Sequence, residues 1–305
     1  MSGVPVYLPA RYSANAVKRL GVELARDEVL SPNAQVLYEE FISDAQARVT
    51  AVQGQLESDR PLYAAVVPRS RSLEVAGRTK TRRTLSDKLR RTPGEKLPSI
   101  HDVAGVRLVA ELTLLEQDLL SDMIVQSFAN HPLATRQPKV IDRRKEPQHG
   151  YRALHIVVYL HGRPVEIQLR THWQHSWAQL MELIGDRWGR EPRYGFRIIH
   201  NDAQEAARRQ KVVDVLQMIS PLLQSLEEGT SVMGLMHLKP SAVVASRLGV
   251  SVTDLERLAA RIQVDDREVE MLTQQTQALF AELGELIGAD PHVEGAYSGE
   301  SEGRQ

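Results

Sequence analysis

The sequence contains no cysteine, and this absence excludes several kinds of chemistry at once. Without thiols the chain cannot form disulfides, use a thiolate nucleophile, run CxxC redox chemistry or build a zinc ribbon. Aromatic residues are also scarce, at 5% of the 305 residues. That length is nevertheless ample for a hydrophobic core without metal or disulfide support. It fits one or two domains.

Long hydrophobic runs are a second absence. No apolar stretch reaches the roughly 18 residues that a membrane span needs. The first residues, MSGVPVYLPARY, lack the charged-then-apolar order of a signal peptide. We therefore expect a soluble, cytoplasmic protein that does not bind or cross a membrane.

The formal net charge of −1 conceals an uneven distribution of charge. Residues 67–200 hold 23 basic against 14 acidic side chains, a balance of +9. Residues 1–66 have a balance of −2 and residues 201–305 a balance of −8. Such asymmetry predicts that the middle segment faces a polyanion, either a nucleotide or RNA.

Helical and β-rich segments alternate in an order that indicates the fold class. Helical spacing dominates the first 60 residues, with Ser31 as an N-cap before Pro32. The predicted strands after Pro61 are VVPRSRSLEV, GVRLVAEL, PKVID, ALHIVVYLHG and RPVEIQLRT, with helices at about 84–91, 113–129 and 171–187. We predict an α/β or α+β domain with one mixed sheet flanked by helices.

Four regions follow from these patterns. Residues 1–64 form an N-terminal helical segment and residues 65–200 the mixed domain. Residues 201–290 return to helical spacing. The tail, residues 291–305, is polar and Gly-rich, and we expect it to be disordered.

The tract GRTKTRRTLSDKLRR, residues 77–91, is the first candidate for chemistry. Arg78, Lys80 and Arg82 alternate, so they share one face if the chain is extended there. Thr84 with Asp87 three residues later is a capping-box pattern, which predicts that a helix starts at Thr84. A cationic strand face that meets a helix start would bind polyphosphate. A solvated basic face is the alternative.

Asp102 lies at the mouth of the next predicted strand. A carboxylate near a phosphate cradle is a plausible Mg²⁺ ligand, although an aspartate that caps a turn is an equally good interpretation. The dipeptide His101-Asp102 also occurs in metal phosphohydrolases. We reject that reading, because here the dipeptide precedes a strand and the further helical ligands are missing.

The predicted strand RPVEIQLRT carries a polar face. Its apolar residues alternate with Glu166, Gln168 and Arg170, which therefore share the other face. Such a row is costly unless it lines a wet, functional cleft. Glu166 could hold a metal ion or accept a proton there.

The loop DRRKEPQHGYRALH, residues 142–155, combines positive charge with an aromatic residue. If a strand begins near Tyr151, then Tyr151 and His155 point the same way. Tyr151 could stack on a base and His155 could donate to a phosphate or ribose, while Arg152 adds charge. A buried tyrosine and a core histidine are the alternative.

Together these four motifs resemble, in order and spacing, the synthetase domain of the RelA/SpoT family over roughly residues 65–190. The resemblance implies a nucleotidyltransferase-like mixed sheet with helical extensions at both ends. It implies transfer of the β,γ-pyrophosphate of ATP, with Mg²⁺, to a 3′-hydroxyl. The usual acceptor is GDP or GTP, and the products are AMP and the alarmone (p)ppGpp.

The resemblance also implies roles for individual residues. On the ATP side it implies Arg78, Lys80, Thr84 and Lys88. It makes Asp102 and Glu166 the metal ligands, with Glu166 also the candidate base. The residues implied at the acceptor are Tyr151, Arg152, His155, Gln168 and Arg170.

Two departures from the family pattern bear on the substrates. Residues 108–130 contain no lysine or arginine, so the second arginine that sandwiches adenine in many members is missing. The loop before Tyr151 looks more like that of toxin-like small synthetases, some of which pyrophosphorylate the 3′-CCA end of tRNA. Such a member would have an antitoxin protein as partner, and a homo-oligomer is also compatible with the family. We favour GDP or GTP as acceptor and keep tRNA as the alternative.

A DNA-binding function is the competing hypothesis from another class. Residues 241–262 resemble a helix-turn-helix with Gly249 in the turn. However, the segment contains only three arginines, and Asp254 and Glu256 offset two of their charges. It also lies in the acidic third of the chain. We therefore expect this segment to pack against the catalytic domain or bind a partner protein rather than DNA.

Overall fold

The computed structural model describes residues 12–26, 29–64, 73–237, 251, 253 and 266–288. Packing groups the chain into two units. The sheet unit comprises Met1–Arg143 and Ala153–Thr171, and the helical unit comprises Arg144–Arg152 and His172–Gln305. The four regions predicted from the sequence, with boundaries at residues 64, 200 and 290, stay a prediction. They were drawn from changes in sequence pattern, whereas the two units are defined by packing.

The sheet unit is built on five strands in the order β1-β2-β5-β4-β3. Its strands β2 and β5 are parallel, whereas the other neighbouring pairs are antiparallel. This confirms the predicted mixed sheet with flanking helices. The strands are β1 (Glu74–Thr79), β2 (Ala104–Ala110), β3 (Lys139–Asp142), β4 (Leu154–Leu160) and β5 (Arg163–Thr171), and the helices are α1 (Ala14–Arg26), α2 (Pro32–Ser58), α3 (Arg60–Tyr63), α4 (Arg82–Arg91) and α5 (Leu114–Ala129).

Two sequence signals fix the ends of elements in this unit. The Ser31 hydroxyl accepts a hydrogen bond from the Ala34 N–H at 3.4 Å, which confirms Ser31 as the N-cap of α2. Between β4 and β5, His161 and Gly162 have φ values of 48° and 79°. A two-residue turn with both φ values positive twists a hairpin correctly. It therefore sets the register in which Glu166 lies opposite Val157.

The apolar core of the sheet unit includes one face of its central strand β5. Val165, Ile167 and Leu169 of β5 are fully buried, as the alternating pattern predicts. Helix α2 packs against β1 and β2, and α5 packs against β4 and β5.

The described part of the helical unit contains three α-helices, α6 (His172–Trp188), α7 (Ala203–His237) and α8 (Asp266–Gly288), and a 3₁₀ turn at Glu191–Tyr194. The α-helices agree with the helical patterns in the sequence. The Trp177 indole N–H donates to the Leu216 carbonyl at 2.7 Å, which ties α6 to α7 inside the core of this unit. In the parts of the chain that the structure describes, no helix has the length and hydropathy to span a membrane.

Some predictions fall on other parts of the chain. The predicted strand VVPRSRSLEV covers residues 66–75, of which residues 66–72 lie outside the described residues. The observed strand β1 begins at Glu74. The helix-turn-helix segment, apart from residues 251 and 253, and the tail from residue 291 also lie outside them.

Candidate functional site

The edge strand β1 delivers two basic side chains to the start of β2. Arg78 is exposed and lies opposite Gly105, and the Lys80 N–H continues the ladder by donating to the Val103 carbonyl at 3.0 Å. Arg82 does not share their face, because the chain has already entered α4 at that residue. The prediction that Arg82 alternates with Arg78 and Lys80 on one strand is therefore wrong.

Helix α4 begins earlier than the sequence indicates. Its N-cap is Thr81, whose extended backbone lets the hydroxyl accept from the Thr84 N–H at 3.3 Å. Thr84 is the third helical residue, and its own hydroxyl donates to the Thr81 carbonyl at 2.9 Å. The predicted start at Thr84 is thus wrong. Thr84 nevertheless lies in the first turn, one turn before Lys88.

Asp102 is held by two ammonium groups. It lies in the single 3₁₀ turn His101–Val103 that leads into β2. Lys80 Nζ is 2.9 Å from Oδ2, and Lys88 Nζ is 3.1 Å from Oδ1. Burial alone would raise the pKa of Asp102, but the charges and hydrogen bonds of both lysines hold it below its ordinary value. The structure therefore brings together the cationic strand, the cationic helix and the predicted acid.

Glu166 heads a chain of polar contacts along β5. Its Oε1 is 3.0 Å from Nδ1 of His155 on β4, and its Oε2 accepts from the Gln168 amide at 3.0 Å. The Gln168 Oε1 in turn accepts from Arg170 at 3.0 Å. Glu166, Gln168 and Arg170 are less than a tenth exposed. The row is therefore more enclosed than the sequence indicates, and the functional cleft along this face stays a prediction. The row tolerates burial because its members bond to one another.

The two acids interact through space. Gly105, three residues after Asp102, lies opposite Glu166 across the parallel pair β2–β5. Burial raises the pKa of Glu166 and the charge of Asp102 raises it further, but the bonds and charge of His155 leave it below its ordinary value. Both carboxylates are therefore ionised at neutral pH.

This donor set suits a hard cation that also binds substrate. Mg²⁺ usually takes one or two carboxylates from the protein and completes its shell with waters and phosphates. Across the described residues, no cluster of three His, Asp or Glu side chains could hold a metal ion. Asp102 and Glu166 thus fit an Mg²⁺ ion that enters with a polyphosphate, rather than one caged by protein alone.

Tyr151 and Arg152 belong to the helical unit. Tyr151 ends a tight turn in which His149 and Gly150 have positive φ, and it packs against the apolar core of that unit. Arg152 donates to the Ser220 hydroxyl at 2.6 Å and to Gln224 on α7. Burial lowers the pKa of Arg152. The assignment of both residues to the acceptor remains a prediction.

The predicted strand from Tyr151 to His155 is wrong. Strand β4 begins at Leu154, three residues after Tyr151. Alternation along a strand therefore cannot align the two side chains. His155 alone lies within the sheet, next to Glu166.

Two residues near the cluster escaped the sequence analysis. Thr81 is the N-cap of α4, and Glu95 lies 3.9 Å from the Lys88 ammonium group. Thr81 does carry a signal, because it is a hydroxyl residue directly before the helix. Glu95 carries none, since it follows the helix in an irregular segment.

Among solved structures, small alarmone synthetase 1 from Bacillus subtilis is similar. It is 20% identical with a TM-score of 0.45, and the match covers 64% of this chain and 97% of that chain. The same protein bound to its product pppGpp is 22% identical with a TM-score of 0.47, covering 65% and 97%.

The sequence of this chain is similar to three curated proteins and matches one family model. Curated uncharacterized proteins from Mycobacterium bovis and from two strains of Mycobacterium tuberculosis are each 40% identical over 186 residues. Each match covers 61% of this chain and spans 63% of the relative's length. The family model described as "Region found in RelA / SpoT proteins" matches residues 77–182, which include every residue of the Asp102 and Glu166 clusters. The chain therefore contains a RelA/SpoT-family domain.

Proposed function

We propose that this protein is an ATP-dependent pyrophosphokinase. It transfers the β,γ-pyrophosphate of ATP to the 3′-hydroxyl of GDP or GTP and releases AMP. The observation that carries this proposal is the pairing of Asp102 with Lys80 and Lys88, close to the strand position where Glu166 lies opposite Gly105, all within the RelA/SpoT region. Phosphoryl-type transfer needs mainly such placed charges.

The basic residues bind the donor. Lys80 and Lys88 are the cations nearest Asp102, and they exchange part of that contact for the phosphates of ATP. Thr84 lies in the first turn of α4, and this N-terminal end of the helix favours the binding of phosphate. The exposed guanidinium of Arg78 stacks on adenine. Asp102 and Glu166 would hold Mg²⁺, which neutralises charge on the transferred group.

Glu166 acts on the acceptor. The 3′-oxygen forms a bond to the β-phosphorus of ATP while the bond from that phosphorus to the α-phosphate oxygen breaks, and AMP leaves. The hydroxyl proton passes to Glu166, which is ionised at neutral pH and held in place by His155 and Gln168. General-base help of this kind contributes typically 10²–10⁴-fold.

The remaining predicted residues complete the acceptor side. His155 contacts a phosphate or ribose oxygen of the acceptor, and Tyr151 stacks on the base. Gln168 and Arg170 keep Glu166 in position through their chain of hydrogen bonds. Arg152 supports the turn that carries Tyr151.

The 3′-CCA end of tRNA is the second candidate acceptor. The observation that favours it is the balance of +9 over residues 67–200, which suits an RNA polyanion. A chain with this activity would block translation and would have an antitoxin as partner. The chemistry at Asp102 and Glu166 would be the same.

One assay separates these candidates. Purified protein, Mg²⁺ and γ-labelled ATP are offered GDP, GTP and deacylated tRNA in parallel, and the products are separated. Label in a guanosine nucleotide together with AMP is the expected result. Label in tRNA instead would select the second candidate, and no transfer to any of the three would refute the enzyme proposal.

A further inference from the structure

A cavity of about 270 Å³ lies in the sheet unit, apart from the Asp102 and Glu166 clusters. It is bounded by α1, α2, the segment before β2 and the β4–β5 turn. One part of its wall is apolar and is formed by Val17, Phe41 and Leu97. Ile100, which precedes the turn that carries Asp102, and Val103, the last residue of that turn, lie along the same wall.

The other part of the wall is cationic. Arg48 and Arg163 both line the cavity, and both contact Asp44 behind them, at 3.2 and 3.3 Å. The Tyr12 hydroxyl donates to Asp44 at 2.8 Å, and the Arg163 guanidinium lies 3.9 Å above the Tyr12 ring. Within the described part of the lining no side chain is acidic. Two guanidinium groups therefore accompany one carboxylate.

Partial burial makes this surplus of positive charge unfavourable. The side chains of Asp44 and Arg48 are only 3% exposed. Arginine does not lose its proton in proteins, so the extra positive charge cannot be removed by titration. A buried charge without a matching counter-charge is unfavourable. An anion bound beside Arg163 would supply the second negative charge.

The entrance and the size limit what can bind. Arg163 is 23% exposed and, with the partly exposed His161 of the turn, lies where the cavity meets the surface. An apolar cavity of about 150 Å³ holds one benzene molecule, whereas drug-sized sites begin at about 300 Å³. The volume therefore suits a single ring or a short branched chain with one polar group.

We propose that this cavity binds a small organic monoanion, a carboxylate with an apolar body. The carboxylate forms an ion pair with the Arg163 guanidinium, which also donates to Asp44 and to the Tyr12 carbonyl, each at 3.3 Å. The apolar body lies against Val17 and Phe41. A cation would add a third positive charge to the network, and a neutral molecule would leave the imbalance in place.

The first test compares three probes of the same size on the full chain. Benzoate, benzyl alcohol and benzylamine are titrated in turn and followed by saturation-transfer NMR. Benzoate is expected to bind at least tenfold more tightly than benzyl alcohol, and benzylamine is expected not to bind. Equal affinity for benzoate and benzyl alcohol, or no binding of benzoate, would overturn the proposal.

The second test places the probe in the cavity. Arg163→Met should weaken benzoate binding at least tenfold without changing that of benzyl alcohol. This variant should fold, because Asp44 keeps Arg48 and Tyr12 as partners. The matched control is Arg136→Met, since Arg136 also lies over a tyrosine ring, at 5.1 Å from Tyr159, but outside the cavity.

A third variant tests the apolar wall. Val17→Phe fills part of the space and should abolish the binding of both benzoate and benzyl alcohol. Thermal melting of each variant shows whether it is folded, and the Arg163 and Arg136 pair decides the question if Val17→Phe is not. Benzoate binding that survives Arg163→Met would refute the site.

Discussion

At the scale of single residues, the partner of each acid determines its state. Asp102 is ionised because two ammonium groups lie within about 3 Å of it, and Glu166 because it accepts from an imidazole and an amide. Each acid is therefore a carboxylate at neutral pH, the form that binds a metal ion or accepts a proton. A substitution that removes only one of these charges therefore leaves its partner largely buried without a counter-charge, which is unfavourable.

Glu166→Gln is the sharpest single test of the proposed mechanism. The amide keeps the size of the side chain but cannot accept a proton or hold Mg²⁺ as a carboxylate does. Transfer to the acceptor should fall by at least ~10²-fold, measured as AMP release with GTP, while thermal melting still shows a folded protein. Glu57→Gln is the control and should keep full activity, because Glu57 on α2 forms an exposed ion pair with Arg60 of α3. Full turnover by Glu166→Gln would remove this residue from catalysis.

At the scale of elements, local sequence patterns predicted most of the strands. They failed at element ends that local pattern alone does not determine. Strand β5 begins and ends where the alternating run RPVEIQLRT does. Helix α4 begins before the predicted Thr84, because two threonines compete as caps and only the backbone conformation of Thr81 selects between them. Strand β4 starts only at Leu154, and Arg152 before it bonds to Ser220, which lies 68 residues away in the helical unit to which Arg152 also belongs.

The competition between the two threonines gives a prediction about stability. Thr81→Ala removes the N-cap of α4 and should cost about 1 kcal/mol in the free energy of unfolding. Thr84→Ala should cost less, because its hydroxyl bonds a carbonyl that other donors can reach. Urea denaturation measures both, with Thr81→Ser as the variant that keeps the cap. A larger loss from Thr84→Ala than from Thr81→Ala would contradict the observed start of the helix.

The first turn of α7 predicts a pH effect. Hydrogen bonds from Arg208 and Arg209 lower the pKa of Glu205 from 4.5 to about 2. Since the folded value is the lower one, the stabilisation is present above pH 4.5 and is lost as the pH falls towards 2. The difference in unfolding free energy between the protein and Glu205→Gln should therefore shrink over that range. A difference that stays constant from pH 6 to pH 2 would mean that these ion pairs contribute nothing.

At the scale of the whole molecule, strand order explains which parts of the site could be foreseen. Asp102 directly precedes strand β2 and Glu166 lies in strand β5. The sequence marks both strands clearly, and their parallel pairing brings the starts of the two strands together. The burial of Gln168 and Arg170 could not be foreseen, since it depends on what covers the sheet. Likewise, no local pattern links Arg163 to Tyr12, which are 151 residues apart.

The uneven charge of the chain predicts how its substrates respond to salt. The balance of +9 over residues 67–200 should attract any polyanion at low ionic strength, including tRNA that is not a substrate. Deacylated tRNA should therefore inhibit transfer to GTP at 50 mM salt, and this inhibition should weaken at least about tenfold at 200 mM, because binding through several phosphates is strongly salt-dependent. A nucleotide bound at one enclosed site should be affected much less, so the KM for GTP should change only slightly.

The control is tRNA that lacks its CCA end, which should inhibit equally well. Inhibition by intact tRNA alone that persists at 200 mM salt would contradict GDP or GTP as the acceptor and would identify the RNA terminus as the group bound beside Glu166.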